Sequence, residues 1–292
     1  MKQATYAYLG PQGTYSHEAA IYARDIAENT INGVLVECIS ISEVFEMVER
    51  GKANFGVVPI ENSLEGSVNE TLDSFVFNSN AQIIREFVMD IHHNLITAPG
   101  VDRSMIGTVA SHPQALAQCR RWLAKNMPGA TTVATTSTAI AVKRVADCSA
   151  NDSGVGAIGT ALAAKLFDAE VIEEQIEDHV GNQTRFVVFG NESSPRTGKD
   201  KTSLALFLWQ DRPGALLMIL TEFVYAGFNL TKIESRPTKR ALGDYMFWID
   251  VEGHIDDLNL KTALDSLRLK LREVKVLGSF AKADSNDADQ LH

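Results

Sequence analysis

Small hydroxyl, amide and carboxyl side chains recur where apolar runs of this chain end: Thr14, Ser16, Glu61, Asn62, Ser63, Ser111, Gln114, Asn182 and Thr184. Taken singly, each is what a helix cap or a turn uses. Taken together, on loops that meet at one crevice, they would surround a shared space with oriented donors, free backbone N–H groups and helix N-termini. Such a space binds carboxylates without a positively charged protein. That matters here, because 37 acidic against 27 basic residues leave a net charge of −10. Nucleic-acid binders draw most of their affinity from cationic contacts to phosphate, so the net charge argues against that class. An anionic ligand must be caught by a local site.

Other chemistries find less support. Gly154-Val155-Gly156-Ala157-Ile158-Gly159 fits the spacing of a dinucleotide fingerprint, but that motif follows an apolar strand, and here Cys148 to Ser153 is polar. The glycines read instead as part of a short buried strand. The Gly10 to Thr14 loop lacks the Gly-Lys-Ser/Thr continuation of a nucleotide P-loop. His92 and His93 are adjacent, and neighbouring strand residues point to opposite faces, so the two cannot chelate together. Cys38, Cys119 and Cys148 are an odd set without a C-x-x-C pair, which predicts reduced, buried thiols and neither disulfides nor zinc. Metal-free chemistry is expected.

The elements that must hold these loops follow from length and pattern. A chain of 292 residues, 45% hydrophobic and 22% charged, is a globular protein of two domains. No apolar run approaches the roughly 20 residues that span a bilayer, and Met1 to Thr5 contains no signal-peptide core, so a cytoplasmic protein without a membrane partner is expected. Up to residue 190, short apolar strands run into polar loops that open helices: Thr5–Leu9 into a helix from Ser16, Phe55–Ile60 into one near Ser67, Gly107–Ala110 into one at Pro113, Thr131–Ala134 into one after Ser137, Val155–Ile158 into one after Thr160. Ser67-x-x-Glu70 and Ser111-x-x-Gln114 read as capping boxes. The pattern predicts mostly parallel sheets with helices on both faces, and the long run Ile83–Ile96 splits them into two α/β lobes joined by crossing strands. Residues 191–201 collect Ser, Pro, Gly and charge, as an exposed linker does, and 281–292 read as a disordered tail. Between them, 202–280 give strand, helix 215–226 closed by Gly227, two strands, helix 258–273 and a last strand: a ferredoxin-like βαββαβ domain. Its small sheet leaves one face open, which dimerisation would cover.

Gly10-Pro11-Gln12-Gly13-Thr14-Tyr15-Ser16, Pro59-Ile60-Glu61-Asn62-Ser63, Ser111-His112-Pro113-Gln114-Ala115-Leu116 and Asn182-x-Thr184-Arg185-Phe186 resemble the signature segments of the prephenate dehydratases, in order and at similar spacing. Residues 202–280 resemble the ACT regulatory domain attached to that family, through Gly214-Ala215-Leu216-Leu217 and Glu234-Ser235-Arg236-Pro237. The likeness spans Thr5 to about Phe280. It implies a two-lobed, periplasmic-binding-protein-like catalytic domain over 1–190, and conversion of prephenate to phenylpyruvate with loss of water and CO2. The reaction is its own source and sink of electrons, so no cofactor is implied. The chain opens at its first strand, without preceding chorismate mutase helices, which implies a single catalytic activity. Thr184 is implied as the residue on which activity depends, with Glu61 a candidate partner, and Thr14, Ser16, Asn62, Ser63, Ser111, Gln114, Asn182 and Phe186 as substrate-binding residues. Strand alternation puts Thr184 and Phe186 on one face and Arg185 on the other, bracing the cleft wall from behind. The two ACT motifs imply an effector site for L-phenylalanine in a homodimer or homotetramer. Two alternatives stay open: dehydration of arogenate, the amino-acid analogue of prephenate, and a non-catalytic two-lobed small-molecule sensor.

Overall fold

The computed structural model describes residues 3–26, 33–147, 154–240 and 243–283. The expected tail, from 284 on, and Cys148 lie outside them. The first lobe comprises β1 (Thr5–Leu9), α1 (Tyr15–Asp25), β2 (Val34–Cys38), α2 (Ile41–Glu49), β3 (Phe55–Asn62), β4 (Gly66–Ser67), α3 (Asn69–Asp73) continued by a π-helical turn at Ser74–Asn78, and β5 (Gln82–Asp90). The chain then crosses into a second lobe of β6 (Asn94–Thr97), β7 (Thr108–Ser111), α4 (Pro113–Gln118), α5 (Arg120–Asn126), β8 (Thr131–Ala134), α6 (Thr138–Ala146), β9 (Val155–Gly159), α7 (Ala161–Leu166) and β10 (Glu170–Glu173). It returns through β11 (Gln183–Gly190). The C-terminal domain follows as β12 (Asp200–Phe207), α8 (Ala215–Ala226), β13 (Leu230–Pro237), β14 (Tyr245–Glu252), α9 (Leu258–Lys270) and β15 (Glu273–Ala281).

The long run Ile83–Ile96 is two strands joined by Ile91-His92-His93, one strand in each lobe, and the glycines of 154–159 do fall in the short strand β9. The sheets are mixed rather than mostly parallel. In the first lobe β1 pairs in parallel with β2 and β3, whereas β11 runs antiparallel between β3 and β5. In the second, β7 is parallel to β8 and β9, while β6 and β10 are antiparallel additions. The antiparallel members are the crossing and returning strands, which reverse direction because the chain leaves the first lobe and comes back.

Neither predicted capping box forms. Ser67 lies in β4 and its hydroxyl donates to Glu234 of the C-terminal domain, while Glu70 accepts from the backbone N–H and hydroxyl of Ser42. At the other box the cap is His112, whose Nδ1 accepts from the Gln114 N–H at 3.3 Å, and Ser111 donates to the Ile158 carbonyl. Tertiary partners outcompete local capping where both are within reach.

The C-terminal sheet, in the order β13-β14-β12-β15, continues into the first lobe, where β15 lies beside β5 with Ala281 paired to Arg85. The approach is close: a Cβ on Gly278 would lie 2.2 Å from the Ile83 carbonyl oxygen. One face of this sheet is covered by α8 and α9, with Ile219, Phe223, Leu260, Leu264 and Leu267 over Leu204, Leu206, Phe247 and Ile249. The other face, expected to be open to a partner, packs on the chain's own first lobe through Phe207, Trp248, Leu277 and Phe280 against Phe45, Phe75 and Phe189. Phe75 makes edge contacts with Phe189 (centroids 5.2 Å) and Trp248 (6.3 Å). The linker is shorter than its composition suggested: Asp200 and Lys201 are buried in β12, Asp200 accepting from the N–H groups of Thr197 and Gly198.

Candidate active site

Between the lobes lies a cavity of about 330 Å³ whose wall includes Thr14, Ser16, Asn62, Gln114, Asn182, Thr184 and Phe186. Each comes from the end of a strand or the start of a helix. Thr14 caps α1, accepting from the His17 N–H at 3.3 Å, and Ser16 lies in the first turn. Ser137 caps α6 by accepting from the Ile140 N–H at 3.1 Å and lines the same cavity with Thr136 and Thr138. The N-termini of α1 and α6 therefore face one space, each equivalent to roughly half a positive charge. No Asp, Glu, Lys or Arg is among the described residues that line it. An anion here is held by neutral donors and helix ends.

The pairing of β11 with β3 sets Thr184 opposite Asn62 and Arg185 opposite Glu61. The Asn62 amide is fixed at its oxygen, which accepts from the backbone N–H groups of Leu64 (2.9 Å) and Glu65 (3.0 Å). Its Nδ2 therefore points back, donating to Asn182 Oδ1 at 2.8 Å and to Thr184 Oγ1 at 2.9 Å. Because Thr184 Oγ1 accepts that bond, its own proton is available to an acceptor in the cavity. Asn182 is 3% exposed and Thr184 8%, so neither bond competes with bulk water.

Three expected site residues lie elsewhere. Ser111 is fully buried, tying β7 to β9. Ser63 stands behind the wall, its hydroxyl accepting from the Gln183 N–H at 2.9 Å. Glu61 lies on the opposite face of β3 from Asn62, paired with Arg185 at 3.0 Å and with Lys232 of β13 at 3.1 Å. The alternation that aims Thr184 and Asn62 into the cavity turns Glu61 and Arg185 out of it. Arg185 also meets Glu86 and Asp250 at 3.0 Å each, with both carboxylates 1% exposed, and Lys201 reaches Glu86 at 2.6 Å. Burial alone would lower the guanidinium pKa, but the carboxylates of Asp250, Glu86 and Glu61 push it above its ordinary value. Arg185 thus braces the wall from behind, and one of its partners belongs to the C-terminal domain.

Tyr15, His93, His112 and Gln118 also line the cavity and were not among the expected site residues, although Tyr15 and His112 stand in the resembling segments. Gln118 is one helical turn beyond Gln114, a spacing that could have found it. Tyr15 carries a signal only through its place in the segment Gly10 to Ser16, and His93 only through its adjacency to His92. His92 and His93 do face apart: His92 meets Glu177 at 2.8 Å, while His93 meets Tyr15 and Gln118. Burial pushes the Cys38 thiol up to about 11 and that of Cys119 higher still, which leaves both inert.

Two α/β lobes closing on a cavity of neutral donors and helix N-termini, followed by a βαββαβ domain packed on the first lobe, define a two-domain α/β protein whose interlobe cavity suits a small organic anion. A family model for prephenate dehydratase matches residues 6–194, and one for the ACT domain matches 205–269. The chain is 41% identical over 279 residues to a prephenate dehydratase of Methanocaldococcus jannaschii, covering 95% of this chain and 98% of that one. It is 40% identical to a bifunctional chorismate mutase/prephenate dehydratase of Neisseria gonorrhoeae, covering 96% of this chain and 75% of the relative. Its structure superposes on that of prephenate dehydratase from Arthrobacter aurescens, solved in complex with L-Phe, with a TM-score of 0.86, 35% identity and coverage of 99% and 95%. The chain belongs to the prephenate dehydratase family and carries its ACT domain.

Proposed function

We propose that this cavity binds prephenate and that Thr184 supplies the hydrogen bond on which the reaction depends. Prephenate loses its ring carboxylate as CO2. The bonding pair left behind enters the ring as the bond to the ring hydroxyl breaks, and one proton from solvent completes the departing water. The ring becomes aromatic, giving phenylpyruvate. The difficult charge is the one growing on the leaving oxygen, and a preorganised donor in a water-poor site is the economical way to stabilise it. The observation that carries the reading is the locked Asn62 amide, whose donation at 2.9 Å leaves the Thr184 proton for the substrate. The helix N-termini of α1 and α6 suit the two carboxylates, and Phe186 offers a ring face. Glu61 acts from behind the wall, holding Arg185.

Replacing Thr184 by the isosteric Val should lower kcat by roughly 10²–10³, as loss of one such donor does, with melting temperature almost unchanged. Near-normal turnover on prephenate overturns the assignment. Among the described residues no carboxylate faces the cavity to meet an ammonium group, so turnover on arogenate should be far slower in the same assay.

The second domain suits phenylalanine as effector. Gly214 opens α8 with φ of 85°, presenting backbone N–H groups at the N-terminus of a twelve-residue helix, followed by Ala215, Leu216 and Leu217. Of the other motif, Glu234 and Arg236 already face the first lobe, binding Ser67, Asn69 and Asp73, while Ser235 and Pro237 alternate to the opposite side of β13. An effector seated beside β13 would therefore pull on the segment that follows β3. Among the described strands β13 ends its sheet, and Ile233 on it and Leu217, Val224 and Tyr225 on α8 are exposed. An unpaired edge flanked by apolar side chains favours self-association there into a dimer or larger assembly. An enzyme of amino-acid synthesis with unpaired buried cysteines fits the cytoplasm.

A further inference from the structure

His93 completes a hydrogen-bonded chain that runs from Thr184 across the cleft and back. Asn62, anchored by two backbone N–H groups, has only one possible orientation, with Nδ2 toward Asn182 Oδ1 at 2.8 Å. Asn182 must then point its own Nδ2 the other way, and it meets Gln118 Oε1 at 3.2 Å. Gln118 Oε1 also faces His93 Nε2 at 2.7 Å. Two acceptors cannot face each other, so Nε2 carries a proton. Burial lowers the pKa of His93, which is 3% exposed, so the ring is neutral and Nδ1 is an acceptor. Opposite Nδ1, at 3.0 Å, stands the Tyr15 hydroxyl, whose single proton is shared with the His92 carbonyl at 2.5 Å. Every polarity from the Asn62 anchor as far as His93 Nε2 is thereby fixed. The path uses Tyr15 of the first lobe, His93 of the crossing segment, Gln118 at the end of α4 in the second lobe, Asn182 just before β11, and Asn62 and Thr184 on the first-lobe sheet.

We propose that His93, in the Nε2–H tautomer that Gln118 Oε1 selects, is a positioning residue for the dehydration. It fixes which end of the Gln118 amide faces Asn182, and so keeps Asn182 Oδ1 turned to the anchored Asn62 Nδ2, whose second bond leaves the Thr184 proton for substrate. It acts through Gln118 and needs no contact with the leaving oxygen. Without a donor at the Nε2 position only the long 3.5 Å bond from Gln118 Nε2 to Glu65 Oε1 keeps the Gln118 amide from turning its NH2 group toward that of Asn182, where the two repel. Since Asn62 cannot turn to compensate, the strain falls on the bond to Thr184. This rests on Thr184 being the donor.

The test compares single variants of the full-length protein by kcat and KM on prephenate, with Thr184→Val as reference. His93→Leu should lower kcat by up to roughly tenfold, the scale of one neutral hydrogen bond, with KM little changed. His93→Gln, whose terminal NH2 reaches the Nε2 position, should restore kcat to within about twofold of the parent on the same scale, whereas His93→Asn, with its NH2 near Nδ1, should not. In 15N-histidine-labelled protein the ring signal that disappears in His93→Gln should be that of an Nε2–H tautomer. A purely structural role predicts equal losses in Leu, Asn and Gln variants, and that result overturns the proposal. So does an Nδ1–H ring, or a His93→Leu kcat equal to the parent while Thr184→Val has lost activity. If Thr184→Val itself keeps turnover, the reading of the site fails first.

Discussion

At the scale of single residues, one strand register decides which side chains do chemistry and which hold the wall. Thr184 and Arg185 are adjacent, yet one faces a cavity with no Asp, Glu, Lys or Arg among its described lining residues and the other a cluster in which three carboxylates meet it at 3.0 Å. The two jobs are incompatible on one face, since a guanidinium in the cavity would occupy the leaving group's donor. Removing Arg185 leaves Glu86 and Asp250 buried without their shared cation, although Lys201 still reaches Glu86 and Ser203 and Trp248 still donate to Asp250. Arg185→Gln should therefore destabilise the fold by about 3–5 kcal/mol in urea denaturation, as breaking a buried pair does. A loss under 1 kcal/mol would show the cluster to be well solvated. The sequence displayed the alternation at 184–186, but the three partners come from β3, β5 and β14, far apart in the chain.

At the scale of elements, local signals set the starts of helices better than they set the use of each residue. Thr14, Ser137 and Thr160 cap their helices as their positions in the sequence suggest. Ser67 and Ser111 had the same spacing to a Glu or Gln but spend their hydroxyls on distant partners. Gly214 separates two reasons for a glycine. Its φ of 85° is costly for any L side chain, whereas an added Cβ would meet no atom within 4 Å. The requirement is backbone freedom rather than room. Gly214→Ala should then cost about 1–2 kcal/mol of strain and weaken phenylalanine binding, measured by calorimetry, nearly as much as Gly214→Val. Full affinity in the Ala variant would place the effector elsewhere.

At the scale of the molecule, the two domains share one sheet and one core. The composition of 191–201 suggests that a fragment ending near Gly190 folds by itself. The structure argues otherwise. Such a fragment uncovers Phe75 and Phe189, removes Asp250 from Arg185 and Lys201 from Glu86, and strips Lys275 from the carbonyls of Phe75, Val76 and Ser79 at the end of the π-helical turn. Each large apolar side chain left exposed forfeits about 1.5–3 kcal/mol, against a total stability of about 5–15 kcal/mol. The fragment should be insoluble or melt well below the intact chain in calorimetry, and a soluble fragment with the parent's melting temperature would contradict this. The same contacts give an effector a physical route to the cleft: Lys232 of β13 reaches Glu61, whose neighbour Asn62 orients Thr184.

The sequence by itself determined what depends on neighbours within a few residues: most strands and helices, the caps at Thr14, Ser137 and Thr160, the face on which Thr184 lies, and, through motifs spread along the chain, the family. Only the tertiary structure decided what depends on which strands become neighbours. It turned Glu61, Ser63 and Ser111 away from the cavity, brought Tyr15, His93 and Gln118 into it, and laid the C-terminal sheet against the first lobe instead of leaving it open. A side chain's direction follows from local periodicity, whereas its partner is set by the register and packing of segments a hundred or more residues apart, where no local pattern is left to read.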